Sequence, residues 1–134
     1  MIDRLRELAQ ERKSFSFEST LAGRSYARWI EPLLNTGYEF HLYYATVRSA
    51  DICVSRVAQR VRAGGHNIPE DVIRRRYSAS LRNFFELYRP MADSWTVYDN
   101  SKVGEPTLVA TGAYNDTIIV ADQVVWNRLA ENAS

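Results

Sequence analysis

The sequence predicts an α/β domain in which a mainly parallel sheet is flanked by helices and followed by a C-terminal β-hairpin and helix. Three observations predict this. Short aromatic or β-branched runs alternate with segments of helical periodicity through the first hundred residues. Glycine or proline stands at the expected helix ends, at Gly37, Gly64-Gly65, Pro69 and Pro90. Beyond Asn100 two short strand-like runs precede a last helical stretch. The 134 residues fit one domain, and 46% apolar with 25% charged residues is the profile of a chain that folds.

Met1 to Arg12 places Ile2, Leu5, Leu8 and Ala9 at helical spacing, which predicts an amphipathic helix. Phe15 and Phe17 alternate with polar residues as a short strand. Gly23 to Asn35 carries Ala27, Ile30, Leu33 and Leu34 on one side of a helix, stopped at Thr36-Gly37. Tyr38 to Val47 is the clearest strand. Ser49 is a suitable cap for a helix to about Ala63, with Cys53, Val54, Val57, Ala58 and Val61 on one stripe. Pro69, Glu70 and Asp71 open a long helix to about Arg89, and Ile73, Tyr77, Leu81, Phe84, Phe85 and Tyr88 trace its buried side. Trp95 to Tyr98 reads as a strand, 99–101 as a turn, Thr107 to Ala110 with Thr117 to Val120 as a hairpin, and Asp122 to Glu131 as a helix.

Several function classes recede on composition. No apolar run reaches the roughly 18 to 20 residues of a membrane span and Met1 to Lys13 is charged throughout, so the expectation is a cytoplasmic protein without membrane contact. One cysteine and two histidines supply no zinc cluster, and no metal site is expected. Cys53, on the apolar side of its helix, is expected to be a small buried thiol. Net charge is only +1, but six arginines against Glu70 and Asp71 give the window 56–76 a balance of +4, leaving −3 elsewhere. Fifteen of the seventeen basic residues are arginine, whose fork binds phosphate or carboxylate oxygens in pairs. A focused anion site and a solvated helix face both fit this distribution. The acidic remainder, with no aromatics between the basic positions, argues against nucleic acid.

Ligands of parallel sheets bind beyond the carboxyl ends of strands, which selects Glu18 to Thr20, Arg48 and Ser49, and Asn100 and Ser101. Glu18, Ser19 and Thr20 suit a substrate hydroxyl, although Ser19 or Thr20 also suits a helix cap. Arg56 and Arg60 share a helix face while Arg62 points away, and of Arg74, Arg75 and Arg76 at most one or two can face a common ligand. Two arginine helices joined by a glycine turn make a lid that closes positive charge over phosphates. No G-x-x-x-x-G-K-[S/T] loop accompanies it, since Lys13 follows Arg12 and Lys102 follows Ser101. G-x-G-x-x-G and a recognisable Ser, His and Asp set are equally missing from the sequence.

Four blocks resemble the zeta-toxin-like P-loop kinases, in particular the bacterial branch of predicted ABC-type ATPases: S-F-S-F-E-S-T-L-A-G at 14–23, R-V-R-A-G-G-H-N-I-P-E-D-V-I-R-R-R-Y at 60–77, S-L-R-N-F-F-E-L-Y at 80–88 and W-T-V-Y-D-N-S at 95–101. The resemblance implies a partial P-loop kinase-like fold and ATP-dependent transfer, with Mg²⁺, to a small-molecule hydroxyl, in toxin members on a UDP-amino sugar. It implies that Glu18 and Thr20 contact substrate, with Arg24 the nearest match to an arginine that toxin members carry two residues after the threonine, where this chain has Ala22. It further implies that Arg60, Arg62, Arg75 and Arg76, with Asn100, contact nucleotide phosphates.

The strand, Walker A loop and first helix of the family, and its catalytic aspartate, would precede Met1; Asp3 falls in the later helix and does not replace that base. The expectation is therefore a single domain over 1–134 with no catalytic residue of its own, inactive as a kinase. A non-catalytic module that binds a nucleotide, a nucleotide sugar, an antitoxin or a complete kinase is the alternative. Loss of an interior strand predicts either a homo-oligomer or a 107–120 hairpin that helps to fill the gap.

Overall fold

The computed structural model describes residues 15–18 and 25–133. Its elements are β1 (Phe15–Glu18), α1 (Ser25–Leu34), β2 (Phe40–Thr46), α2 (Ala50–Arg62), α3 (Glu70–Asn83), a π-helical segment (Phe84–Tyr88), a 3₁₀ turn (Arg89–Met91), β3 (Ser94–Asp99), β4 (Thr107–Ala113), β5 (Asp116–Val120) and α4 (Gln123–Asn132). The expected helix over Met1 to Arg12 lies outside the described residues.

The five strands form one sheet in sequence order. β1–β2 and β2–β3 are parallel, with Leu42 opposite Trp95 and Tyr44 opposite Val97, whereas β3–β4 and β4–β5 are antiparallel. The sheet is thus mixed rather than mainly parallel, because the hairpin adds two strands to its edge. That hairpin extends the sheet beyond β3. β1, β2 and β3 pair directly with one another, so among the described strands the hairpin adds to the edge of the sheet and occupies no interior position.

Alternation along β2 and β3 decides where the core sits. Phe40, Leu42 and Tyr44 of β2 and Trp95 and Val97 of β3 are buried together with Ala27 and Ile30 of α1, Tyr77 and Leu81 of α3, and Val125 and Leu129 of α4. Residues of the other parity, His41, Tyr43, Ala45, Thr96 and Tyr98, are half-buried or exposed. Among the described residues the helices therefore pack on one face, not on both. Aromatic rings join the layers: Tyr44 stacks on Phe84 at 4.9 Å, Phe84 meets Trp95 edge-on at 5.6 Å, and Trp95 stacks on Trp126 at 5.6 Å.

Local chemistry fixes the helix ends that shape the site. Gly65 N donates to Arg60 O at 2.7 Å and Gly64 N to Val61 O at 3.0 Å, a Schellman pair that closes α2 with Gly64 at φ +95°. Gly37, at φ +92°, ends α1 in the same manner. Pro69 precedes α3, and Val72 and Ile73 return their amides to its carbonyl. The expected single helix to Arg89 instead changes to π geometry at Phe84, and Pro90 sits in the following 3₁₀ turn. The wider winding keeps both Phe84 and Tyr88 buried.

Candidate functional site

A cleft of about 480 Å³ opens where β2 and β3 end, beneath α2 and α3. Both helices address it with the same spacing, Cys53, Arg56, Val57 and Arg60 from one and Ile73, Arg76, Tyr77 and Ser80 from the other. Positions i, i+3, i+4 and i+7 form one helical stripe, so each helix contributes a continuous wall. Val47, Ile73 and Tyr77 are buried in the cleft wall, whereas Arg60 and Arg76 are exposed at the rim.

The charge of the lining is one-sided. Among the described residues three arginines line the cleft and no aspartate or glutamate does. Arg56 donates through Nη2 to the carbonyls of Asn100 at 2.5 Å and Ser101 at 3.1 Å, which anchors α2 to the end of β3. The Arg60 and Arg76 guanidinium groups make no hydrogen bond or ion pair among the described residues. Arg74 is used otherwise, bonding Asp51 at 2.7 Å and so tying the start of α2 to α3.

The other polar groups of the wall are spoken for. Tyr77 donates its hydroxyl to Val47 O at 2.7 Å and receives Asn132 Nδ2 at 3.2 Å, and its burial pushes its pKa up. Ser80 and Tyr44 share a 2.5 Å hydrogen bond, and burial pushes the Tyr44 hydroxyl up to about 12. Burial also raises the Cys53 thiol, outweighing the pull of Arg56 and Arg60 in the opposite direction. Cys53 is half-buried and lines the cleft, rather than being the small buried thiol expected. A thiol held protonated is a poor nucleophile.

Beside the cleft a buried carboxylate organises the strand ends. Asp99 accepts Arg48 Nε at 2.7 Å on one oxygen, and the Ser101 amide at 3.0 Å and hydroxyl at 2.5 Å on the other. Ser101 Oγ in turn receives the Arg48 amide at 3.0 Å. Burial would raise the pKa of Asp99, but the hydrogen bonds from Ser101 and Arg48 outweigh it and hold the carboxyl below its ordinary value. The backbone carbonyls that Arg56 grips are fixed by this network.

Of the residues singled out in the sequence, Arg60, Arg76 and Asn100 meet in the cleft, and Arg62 and Arg75 are not part of its lining. The side chain of Glu18, and Thr20 and Arg24, lie outside what the structure describes. Arg56 belongs to the site although only its shared face with Arg60 pointed to it. Arg48 and Ser101, expected near a ligand by position, serve the Asp99 network. A Ser94, His41 and Glu39 chain, with contacts of 2.6 and 3.2 Å, lies at the amino ends of β2 and β3, away from the cleft. No group of three or more His, Cys, Asp or Glu suited to a metal occurs among the described residues, and no helix there is long and apolar enough to cross a membrane.

A Haemophilus influenzae protein, itself described as uncharacterized, is 36% identical to this chain over 63 residues, or 47% of this chain and 45% of that protein. The chain thus spans about half the length of the curated relative it matches. No family model matches the sequence, and no solved structure matches it. The chemistry of the cleft therefore carries the functional argument.

Proposed function

We propose that this chain is a zeta-toxin-like member of the ATP-dependent small-molecule kinases that supplies phosphate-gripping arginines but does not itself transfer phosphate. One observation supports it above the others: Arg56, Arg60 and Arg76 converge with Asn100 at the carboxyl ends of two parallel strands, with no acid among the described residues of the lining. Arginine forks in such a place bind phosphate oxygens bidentately. The described residues do not fit a complete ATP and Mg²⁺ site, because the sequence has no Walker A loop and no Asp or Glu among the described residues lines the cleft to hold the metal. Positioning and charge stabilisation together make phosphoryl transfer, and the cleft offers only part of the second.

Calorimetric titration with ATP and with a UDP-amino sugar tests this reading. Weak binding is expected, lowered roughly tenfold or more by Arg60→Ala or by Arg76→Ala, with no turnover of labelled ATP. Turnover that Glu18→Ala abolishes would overturn the inactive reading, and affinity indifferent to both arginines would reduce them to solvated helix faces.

A non-catalytic interaction module is the second reading, favoured by the exposed Ile118, Ile119 and Val124 at 68%, 55% and 78%. Such a module would meet another copy, an antitoxin or a complete kinase. Light scattering of the purified chain separates a self-associating form from a monomer.

A further inference from the structure

We infer that the cleft takes an organic dianion with an apolar, ring-sized body, and that bare polyphosphate and hydroxyl-rich sugar are poor occupants of it. The inference rests on the reading of the cleft as an anion site, though not on phosphotransfer. Two regions of the cleft differ in chemistry. At the rim stand Arg60 and Arg76, exposed and without a protein partner among the described residues. Deeper, Val47, Ile73 and the Tyr77 ring are buried, with Val57 and Ile68 half-buried beside them.

The deep wall has little to give a polar ligand. Tyr77 is engaged by Val47 and Asn132, Ser80 by Tyr44, and Arg56 by the carbonyls of residues 100 and 101. Sugar hydroxyls placed there would give up water without replacement, at a cost for each unsatisfied group. An apolar ring gains instead in proportion to the area it buries. Asn100, whose carboxamide has no partner among the described residues, is left to orient the body, while the Thr46 hydroxyl of the lining is turned to Tyr44. A mostly apolar wall of this volume with few placed polar groups is the usual build of a small-molecule site. The guanidinium pair then takes the doubly charged head, with the charge of Arg56 behind it.

The single cysteine makes the location measurable, because Cys53 lines the same cleft. The probes are 1-naphthyl phosphate, 1-naphthol and inorganic pyrophosphate, titrated against the intact chain by calorimetry. The expected result is that naphthyl phosphate binds at least tenfold more tightly than either control and slows alkylation of Cys53 by N-ethylmaleimide. Arg60→Ala/Arg76→Ala, which changes two exposed positions, should weaken it by at least tenfold while leaving naphthol unaffected.

Pyrophosphate binding as tightly as naphthyl phosphate would overturn the apolar body, and naphthol binding as tightly would overturn the anionic head. Unchanged alkylation at saturating naphthyl phosphate would overturn the location, and that readout needs no variant. Failure of the kinase reading looks different: naphthyl phosphate would bind and protect Cys53 while neither ATP nor a UDP-amino sugar does.

Discussion

Arg48 Nε lies 2.7 Å from Oδ2 of Asp99, and the carboxylate side chain is 3% exposed while that of the arginine is half in solvent. The pair is therefore anchored on its buried acid, which also holds Ser101. A carboxyl whose folded pKa is depressed adds stability above its ordinary range and loses it as pH falls through the folded value. The window lies below about pH 4. Asp99→Asn should lower the free energy of urea unfolding at pH 7 by about 1–3 kcal/mol, since it removes hydrogen bonds to a charged group. The gap to the unmodified chain should narrow toward pH 3. A gap independent of pH would show that shape rather than charge holds the turn.

Tyr44 predicts the opposite limb. Burial pushes its hydroxyl up to about 12, so above pH 10 the unfolded chain ionises this tyrosine while the folded chain does not. The stability contribution is intact below pH 10 and falls by about 1.4 kcal/mol per pH unit until pH reaches about 12. Tyr44→Phe should cost about 1 kcal/mol at pH 8 through the lost Ser80 bond, yet should flatten the alkaline decline. Equal alkaline slopes for the two chains would exclude Tyr44 as the titrating group.

The elements that follow local rules were readable along the chain. Gly37 and Gly64 stop helices because a left-handed residue is required there, and the alternation in β2 identifies Phe40, Leu42 and Tyr44 as a buried set. The stripe that carries Arg60 is equally visible in its spacing. Three features escaped because nonlocal geometry decides them. Arg56 donates to carbonyls more than forty residues away, a role with no sequence signature. The one-sided packing depends on strand order, and periodicity does not specify strand order. The π segment at Phe84 has the same apolar spacing as an ordinary helix until its neighbours Tyr44 and Trp95 are placed.

Gly112 and Gly37 separate steric from conformational requirements. A Cβ at Gly112 would collide with Asp116 O and stand 2.5 Å from Trp95 Cζ2. Gly37 has open space around it and only its positive φ to satisfy. Gly112→Ala should therefore destabilise by about 1–3 kcal/mol or more, as overpacking does, and blue-shift or broaden tryptophan emission through Trp95. Gly37→Ala should cost about 1 kcal/mol with emission unchanged. Similar costs for both, with no spectral change at Gly112, would mean that the hairpin yields easily around Trp95.

The last prediction concerns how firmly α2 is held. None of the residues of α2 is fully buried, whereas α3 buries Ile73, Tyr77, Leu81 and Asn83. α2 rests on the core only through half-buried Ala50, Ile52 and Cys53, and two polar contacts add to this: Arg56 to the carbonyls of Asn100 and Ser101, and Asp51 to Arg74. The second contact is exposed at both ends and contributes little in water. Local opening free energy follows buried contact, so amides of 54–62 should exchange markedly faster than those of 74–83 in the unmodified chain. Arg56→Ala removes the partly buried clamp, worth roughly 1.5–3 kcal/mol for a charged donor. It should accelerate exchange in 54–62 about tenfold or more and leave 74–83 almost unaffected, while Asp51→Ala should change neither by more than a few fold. Acceleration of both helices together in Arg56→Ala would show that α2 and α3 open as one unit rather than α2 alone.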